Sequence, residues 1–164
     1  LLQLRHTSDV HEPLLRKMIP LMSVAIENRY LPALIPFLAG MPLAGAQSRA
    51  RSKLLGMVTL AFEGLALAER ELVAEYATLD EDGAPIIAED STFTLANPEA
   101  ANEYVAAREE LMGERTILTG DTYLGHYQAL QTLLAEYAQP LAGDDAAVYD
   151  HLCDAIDQAV SEQP

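Results

Sequence analysis

The sequence predicts a mainly α-helical domain with one long helix, a small β-hairpin insertion and two C-terminal helices. Apolar side chains recur at helical steps of three and four residues along most of the chain beyond residue 48. Turn-forming Asp, Gly and Pro residues interrupt this periodicity between residues 80 and 98, where two short β-prone runs lie. The chain has 164 residues, half of them hydrophobic, so we predict a single domain over 1–164.

The charge is strongly negative and unevenly distributed. Ten basic and 25 acidic residues give a net charge of −15, with +4 on residues 1–53 and −19 on residues 54–164. This field disfavours general binding of nucleic acids. Either the acidic part is a solubilising surface, which is the simpler interpretation, or it is an interaction face. The single cysteine, Cys153, excludes an internal disulfide and fits a reducing compartment.

Residues 1–45 form an apolar N-terminal segment that prolines interrupt. The pattern predicts a short helix that ends near Pro20 and a second short helix from about Leu21 to Tyr30. The start of the chain lacks the features of a signal peptide. Residues 30–46 carry no charge, and their three prolines argue against a membrane span. They form either an irregular, buried core element, which we favour, or an exposed apolar patch.

The long helix is predicted over residues 48–79. Its apolar stripe follows steps of three and four residues and consists of Leu54, Val58, Ala61, Leu65, Ala68, Leu72, Tyr76 and Leu79. A helix of about 30 residues is roughly 45 Å long. It therefore either spans the domain or packs against a partner chain.

The β-hairpin is predicted over residues 85–95, after a turn at Gly83. Ile117 and Leu118 are expected to form a short strand beside it. Helices fill residues 98–160: Asn97 caps the first, a Tyr-rich helix follows, and Asp144 and Asp145 cap the last.

Two groups of side chains stand out as a candidate interaction surface. The last helix and its start carry Asp144, Asp145, Asp150, Asp154 and Asp157, and the preceding helix carries Tyr123, Tyr127 and Tyr137. For the aspartates, two carboxylates per helical turn approach the charge density of a phosphate strand. For the tyrosines, core packing is the simpler interpretation and a shared helix–helix surface is the main alternative.

A cluster of bases at the start of the long helix, formed by Arg49, Arg51 and Lys53, is a candidate basic patch. It could bind phosphate or clamp the acidic half of the chain. Three bases without interleaved aromatic residues are weak evidence for nucleic-acid binding.

No residue pattern predicts catalysis, a cofactor or a metal site. Asp150, His151, Cys153 and Asp154 do not share one helix face, and the acidic turn around Gly83 does not match the calcium-loop spacing. No serine lies in a nucleophile-elbow context. A metal-dependent enzyme is therefore the weakest of the functional hypotheses.

Residues 53–111 resemble a small family of tailed-phage proteins of unknown function. The matching residues are Lys53, Leu54, Glu71, Leu72, Tyr76, Ala77, Asp80, Glu81, Gly83 and Pro85, and more loosely Glu109, Glu110 and Leu111. The resemblance implies a phage or prophage accessory protein that acts in the bacterial cytoplasm or the virion. It carries over no catalytic residues.

From these observations we expect a non-enzymatic protein that acts through protein–protein interaction, with a phage or bacterial-host partner and with self-association as a further expectation. The alternative is an acidic inhibitor that imitates nucleic acid and blocks a host defence or DNA-binding protein. Neither hypothesis involves a membrane.

Overall fold

The computed structural model describes residues 23–119 and 124–162, and within these ranges the fold is mainly helical, as predicted. In chain order the elements are β1 (Ser23–Glu27), a 3₁₀ turn (Asn28–Tyr30), α1 (Leu31–Ala39), α2 (Gly45–Tyr76), a second 3₁₀ turn (Pro98–Ala100), α3 (Ala101–Gly113), β2 (Arg115–Thr119), α4 (Leu124–Ala135) and α5 (Asp144–Ser161). The predicted helix that ends near Pro20 lies outside the described residues. None of the helices in the described ranges is both long and apolar enough to cross a membrane.

The predicted helix from about Leu21 to Tyr30 is wrong, because its described part begins with a strand. β1 pairs antiparallel with β2, which places Val24 opposite Leu118. Val24 and Ile26 are fully buried, and this alternation of buried and more exposed residues has the period of a strand. The strand predicted around Ile117 and Leu118 therefore exists, but it pairs with β1 and not with the hairpin.

Much of the uncharged segment 30–46 belongs to the core, as we favoured, but residues 31–39 of it form the helix α1 and are not irregular. Leu31, Leu34 and Leu38 on α1 are buried. Pro36 lies inside this helix and is exposed. Its missing N–H removes one helical hydrogen bond, and the burial of the neighbouring leucines outweighs that loss.

The long helix is confirmed, with bounds that differ by three residues at each end from the predicted 48–79. α2 has 32 residues, and its predicted stripe is buried at Leu54, Val58 and Leu65. It ends at Tyr76 because Ala77 adopts an extended conformation and forms an antiparallel bridge with Leu95.

One hydrophobic core joins α1, the first two thirds of α2, α4, α5 and the two-stranded sheet. Residues 66–110 contribute no side chain to this core. This stretch comprises the last part of α2, an arm without continuous strands (residues 77–97), the second 3₁₀ turn and most of α3. We call residues 66–110 the extension.

The arm of the extension corresponds to the predicted hairpin. Three isolated antiparallel bridges hold it together: Ala77 with Leu95, Leu79 with Pro85, and Ile87 with Phe93. The chain reverses at Gly83, whose φ of +81° favours glycine, and again around residues 89–91. The Asn97 side chain accepts a hydrogen bond from the backbone N–H of Glu99, as its predicted capping role requires.

Helices α4 and α5 close the core, and both were predicted. On α5, Val148, Leu152 and Ile156 are buried at four-residue spacing. The predicted caps are wrong: Gly143 occupies the N-cap position, while Asp144 and Asp145 lie in the first turn. Their charges there still face the positive end of the helix dipole.

Candidate functional site

The five predicted aspartates of the C-terminal helix are all exposed, but they do not form one face. Asp150, Asp154 and Asp157 follow one stripe of α5 opposite its buried side, whereas Asp144 and Asp145 lie at its start. Asp157 accepts a hydrogen bond of 2.8 Å from the side-chain amide of Gln131 on α4. The helix thus presents a row of three carboxylates to solvent.

The predicted tyrosines divide between the core and its edge. Tyr127 is fully buried, which fits core packing and leaves no surface for a partner. Tyr137 lies just after α4, which ends at Ala135, and not on that helix as predicted. It is half-buried, and its ring lies 5.9 Å from Phe37 and 5.8 Å from Tyr149 between centroids. Tyr123 lies outside the described residues.

The three bases of the predicted basic patch separate into two roles. The Arg51 guanidinium donates hydrogen bonds to the backbone carbonyls of Leu38 (2.9 Å) and Met41 (3.0 Å), where α1 ends. Arg49 and Lys53, four residues apart, instead line a pocket beside α4. Neither makes an ion pair with a carboxylate of the described residues, so the predicted clamp on the acidic half is not formed there.

His151 and Cys153, which belonged to the weakest hypothesis of a metal site, lie in surroundings that do not resemble one. The backbone N–H of Glu27 donates a hydrogen bond of 3.2 Å to Nε2 of His151, whose ring stacks on Tyr30 at 4.1 Å between centroids. Burial lowers the pKa of His151 and raises the pKa of the Cys153 thiol, which therefore stays protonated at neutral pH. In the part of the chain that the structure describes, no three His, Cys, Asp or Glu side chains are grouped so as to hold a metal ion.

The acidic turns of the arm bind their own backbone. Oδ1 of Asp80 accepts hydrogen bonds from the backbone N–H groups of Asp82 and Ala84, both at 2.9 Å. Asp90 accepts two from Thr92, and these hydrogen bonds lower the pKa of Asp90. These carboxylates therefore stabilise turns.

The extension presents a surface that the sequence patterns did not single out. It holds five of the seven large apolar side chains that are exposed in the described residues: Leu67, Leu79, Ile86, Ile87 and Val105. It also contains twelve acidic and two basic residues. A periodicity argument assigns apolar residues to a core, so only their measured exposure reveals an apolar surface here.

An acidic cleft runs between α2 and α3 at the base of the extension. Its volume is about 240 Å³, and its lining consists of Ala68, Glu71, Leu72, Glu75, Ala107, Glu110, Leu111 and Glu114. α2 contributes two glutamates and two apolar side chains, α3 contributes Glu110 and two apolar side chains, and Glu114 directly follows α3. Nearby, Arg108 of α3 and Glu69 of α2 form an ion pair at 3.4 Å.

These features define a helical protein with an acidic, partly apolar extension and a separate cationic pocket. The chain belongs to a protein family of unknown function (DUF1617), whose profile matches residues 22–161. No curated protein and no solved structure matches the chain.

Proposed function

We propose that this chain is a non-enzymatic protein that acts by binding another protein through the extension. The observation that supports the proposal most is the surface character of residues 66–110, which supply nothing to the core yet expose five large apolar side chains. A contiguous patch of exposed apolar side chains is typical of interaction sites, and we propose that those of the extension form one. Because these side chains do not pack into the core, we assign them a role in binding a partner.

The charge of the extension indicates the chemistry of the partner. Its net charge of −10 attracts a basic surface and speeds encounter with it, while the apolar side chains gain contact area on docking. Two copies of the extension would repel each other. A different protein with a basic and apolar surface is therefore a better partner than a second copy of this chain.

The setting proposed for this interaction comes from the resemblance to tailed-phage proteins at residues 53–111, which include the whole extension. The chain would then be a phage or prophage accessory protein, with a phage or bacterial-host partner in the bacterial cytoplasm or the virion.

A second candidate function is imitation of nucleic acid, and the acidic cleft supports it. Glu71 and Glu75 of α2, Glu110 of α3 and Glu114 directly after α3 line one cleft, so carboxylates from separate segments lie close together. The partner would then be a DNA-binding protein, and duplex DNA would compete with this chain for it.

The test is affinity capture from a bacterial lysate with three forms of the full chain. We expect a partner to be captured by the wild type and by Leu60→Ser, which alters an exposed leucine of α2 outside the extension. The double variant Ile86→Ser/Ile87→Ser should capture it about tenfold less, because both side chains are half exposed on the arm.

Two further measurements help to interpret the capture experiment. Circular dichroism should show the same helicity for all three forms. Equal capture of the same proteins by all three forms would contradict the proposal, whereas release of the partner by duplex DNA would favour the imitation of nucleic acid.

A further inference from the structure

A pocket between the start of α2 and α4 lies outside the extension and has a different character. Its volume is about 430 Å³, and Ser48, Arg49, Ser52, Lys53 and His126 line it. We propose that this pocket binds a small phosphorylated molecule. The proposal does not depend on the interaction of the extension with a protein.

The spacing of the lining residues on α2 explains how the pocket forms. Arg49 and Lys53 are four residues apart and share one row of the helix, and Ser48 and Ser52 form the adjacent row. His126 of α4 approaches from the other side. Two cations and two hydroxyl groups therefore converge with an imidazole from a second element.

The chemistry of this set matches a phosphoryl group. A guanidinium offers forked donors to phosphate oxygens, an ammonium adds a point charge, and serine hydroxyls donate further hydrogen bonds. Among the described residues that line the pocket, none carries a carboxylate. These side chains therefore attract an anion, although the chain as a whole carries −15.

The two cations of the pocket, Arg49 and Lys53, form no ion pair with a carboxylate among the described residues. Arg29 pairs with Glu27 and Glu109, and Arg108 pairs with Glu69. Arg49 and Lys53 form no such pair within the same ranges, despite the excess of carboxylates.

The size of the pocket and the charge of the chain select the class of ligand. A volume of about 430 Å³ falls within the usual range of small-molecule sites. A polymeric phosphate backbone would extend beyond the two cations and meet the negative field of the rest of the chain. A molecule with one phosphoryl group or a short chain of them avoids that repulsion.

The proposal is tested by isothermal titration of the full chain with pyrophosphate, inorganic phosphate and adenosine monophosphate at constant ionic strength. We expect saturable binding of pyrophosphate. Tighter binding of the nucleotide than of inorganic phosphate would show that the pocket also reads the rest of the molecule, and equal binding would show that it reads the phosphoryl group alone. Both outcomes support the proposal.

Variants locate the binding in the pocket. Arg49→Gln/Lys53→Gln should weaken pyrophosphate binding by about tenfold or more, because it removes both charge-assisted contacts. Arg70→Gln removes an exposed arginine of the same helix outside the pocket and should leave the affinity unchanged. Circular dichroism verifies that both variants fold.

Two results would overturn the proposal. One is the absence of saturable pyrophosphate binding to the wild type up to about 10 mM. The other is an equal loss of binding free energy per charge removed in the double variant and in Arg70→Gln, which would indicate that only the overall charge matters.

Discussion

At the residue scale, Arg51 satisfies carbonyl groups where α1 ends. Removing its guanidinium leaves the carbonyls of Leu38 and Met41 without these donors. We predict that Arg51→Ala lowers the free energy of unfolding by about 2 kcal/mol. Arg49→Ala, which makes no such contacts, should change it by less than about 0.5 kcal/mol. Urea denaturation measures both, and equal effects would contradict this role of Arg51.

His151 predicts a pH dependence of stability. Burial lowers its pKa below the ordinary value of 6.5, so the folded state prefers the neutral ring that accepts a hydrogen bond from Glu27. In the window between the lowered pKa and 6.5, the unfolded chain binds more protons than the folded one. The contribution of His151 is therefore present above pH 6.5 and is lost as the pH falls through this window.

The comparison for this prediction is His151→Phe, which keeps a ring for stacking on Tyr30 but cannot titrate. Glu27, Asp154 and Arg115 are the charged groups that act on His151, and they are the same in both forms. The unfolding free energy of the wild type should fall more steeply than that of the variant as the pH drops below 6.5. Parallel curves from denaturation at several pH values would contradict the prediction.

Residue-scale roles were only partly predictable from the sequence. Arg49, Arg51 and Lys53 look equivalent because they alternate along one helix, yet the partner of Arg51 is the end of a different helix. His126 joins the pocket only through the packing of α4 on α2. Contacts of this kind between distant segments leave no local pattern.

At the scale of elements, the long helix and the two C-terminal helices were predictable because their apolar stripes extend over many turns. β1 was not. Its five residues are too few to distinguish a strand from a helical turn, and its partner lies about 90 residues later in the chain. The prediction that Ile117 and Leu118 lie beside the hairpin was wrong for the same reason, because their partner strand β1 is distant in the sequence.

The arm of the extension should be dispensable for folding of the core. We predict that replacing residues 79–93 with Asn-Gly lets Thr78 turn directly into Thr94, since these two residues already share a backbone hydrogen bond of 2.8 Å. The melting temperature should change by less than about 5 °C, because the removed residues supply nothing to the core.

The matched control for the arm is Leu54→Ala, which removes a fully buried side chain of the core. This substitution should cost about 2–5 kcal/mol and lower the melting temperature much further. Scanning calorimetry compares the two forms. Loss of cooperative unfolding in the arm variant would show that the arm is part of the folding unit.

At the scale of the whole molecule, the extension is both strongly acidic and outside the core. The extension carries twelve of the 25 acidic residues but contributes none of the core, whereas the cationic pocket lies on α2 close to its start. The sequence predicted the acidic excess and suggested α5 as an acidic face. The larger acidic and apolar surface became visible only once the exposure of Ile86, Ile87 and Val105 was known.

The central claim, that the extension binds another protein, is tested most directly by carbodiimide crosslinking in lysate followed by mass spectrometry. This reagent joins carboxylates to lysines, and the extension has twelve acidic residues and no lysine of its own. We predict that most crosslinks to other proteins fall on residues 66–110, although they hold fewer than half of the acidic residues. Crosslinks spread in proportion to the acidic residues, or concentrated on the α5 aspartates, would contradict the claim.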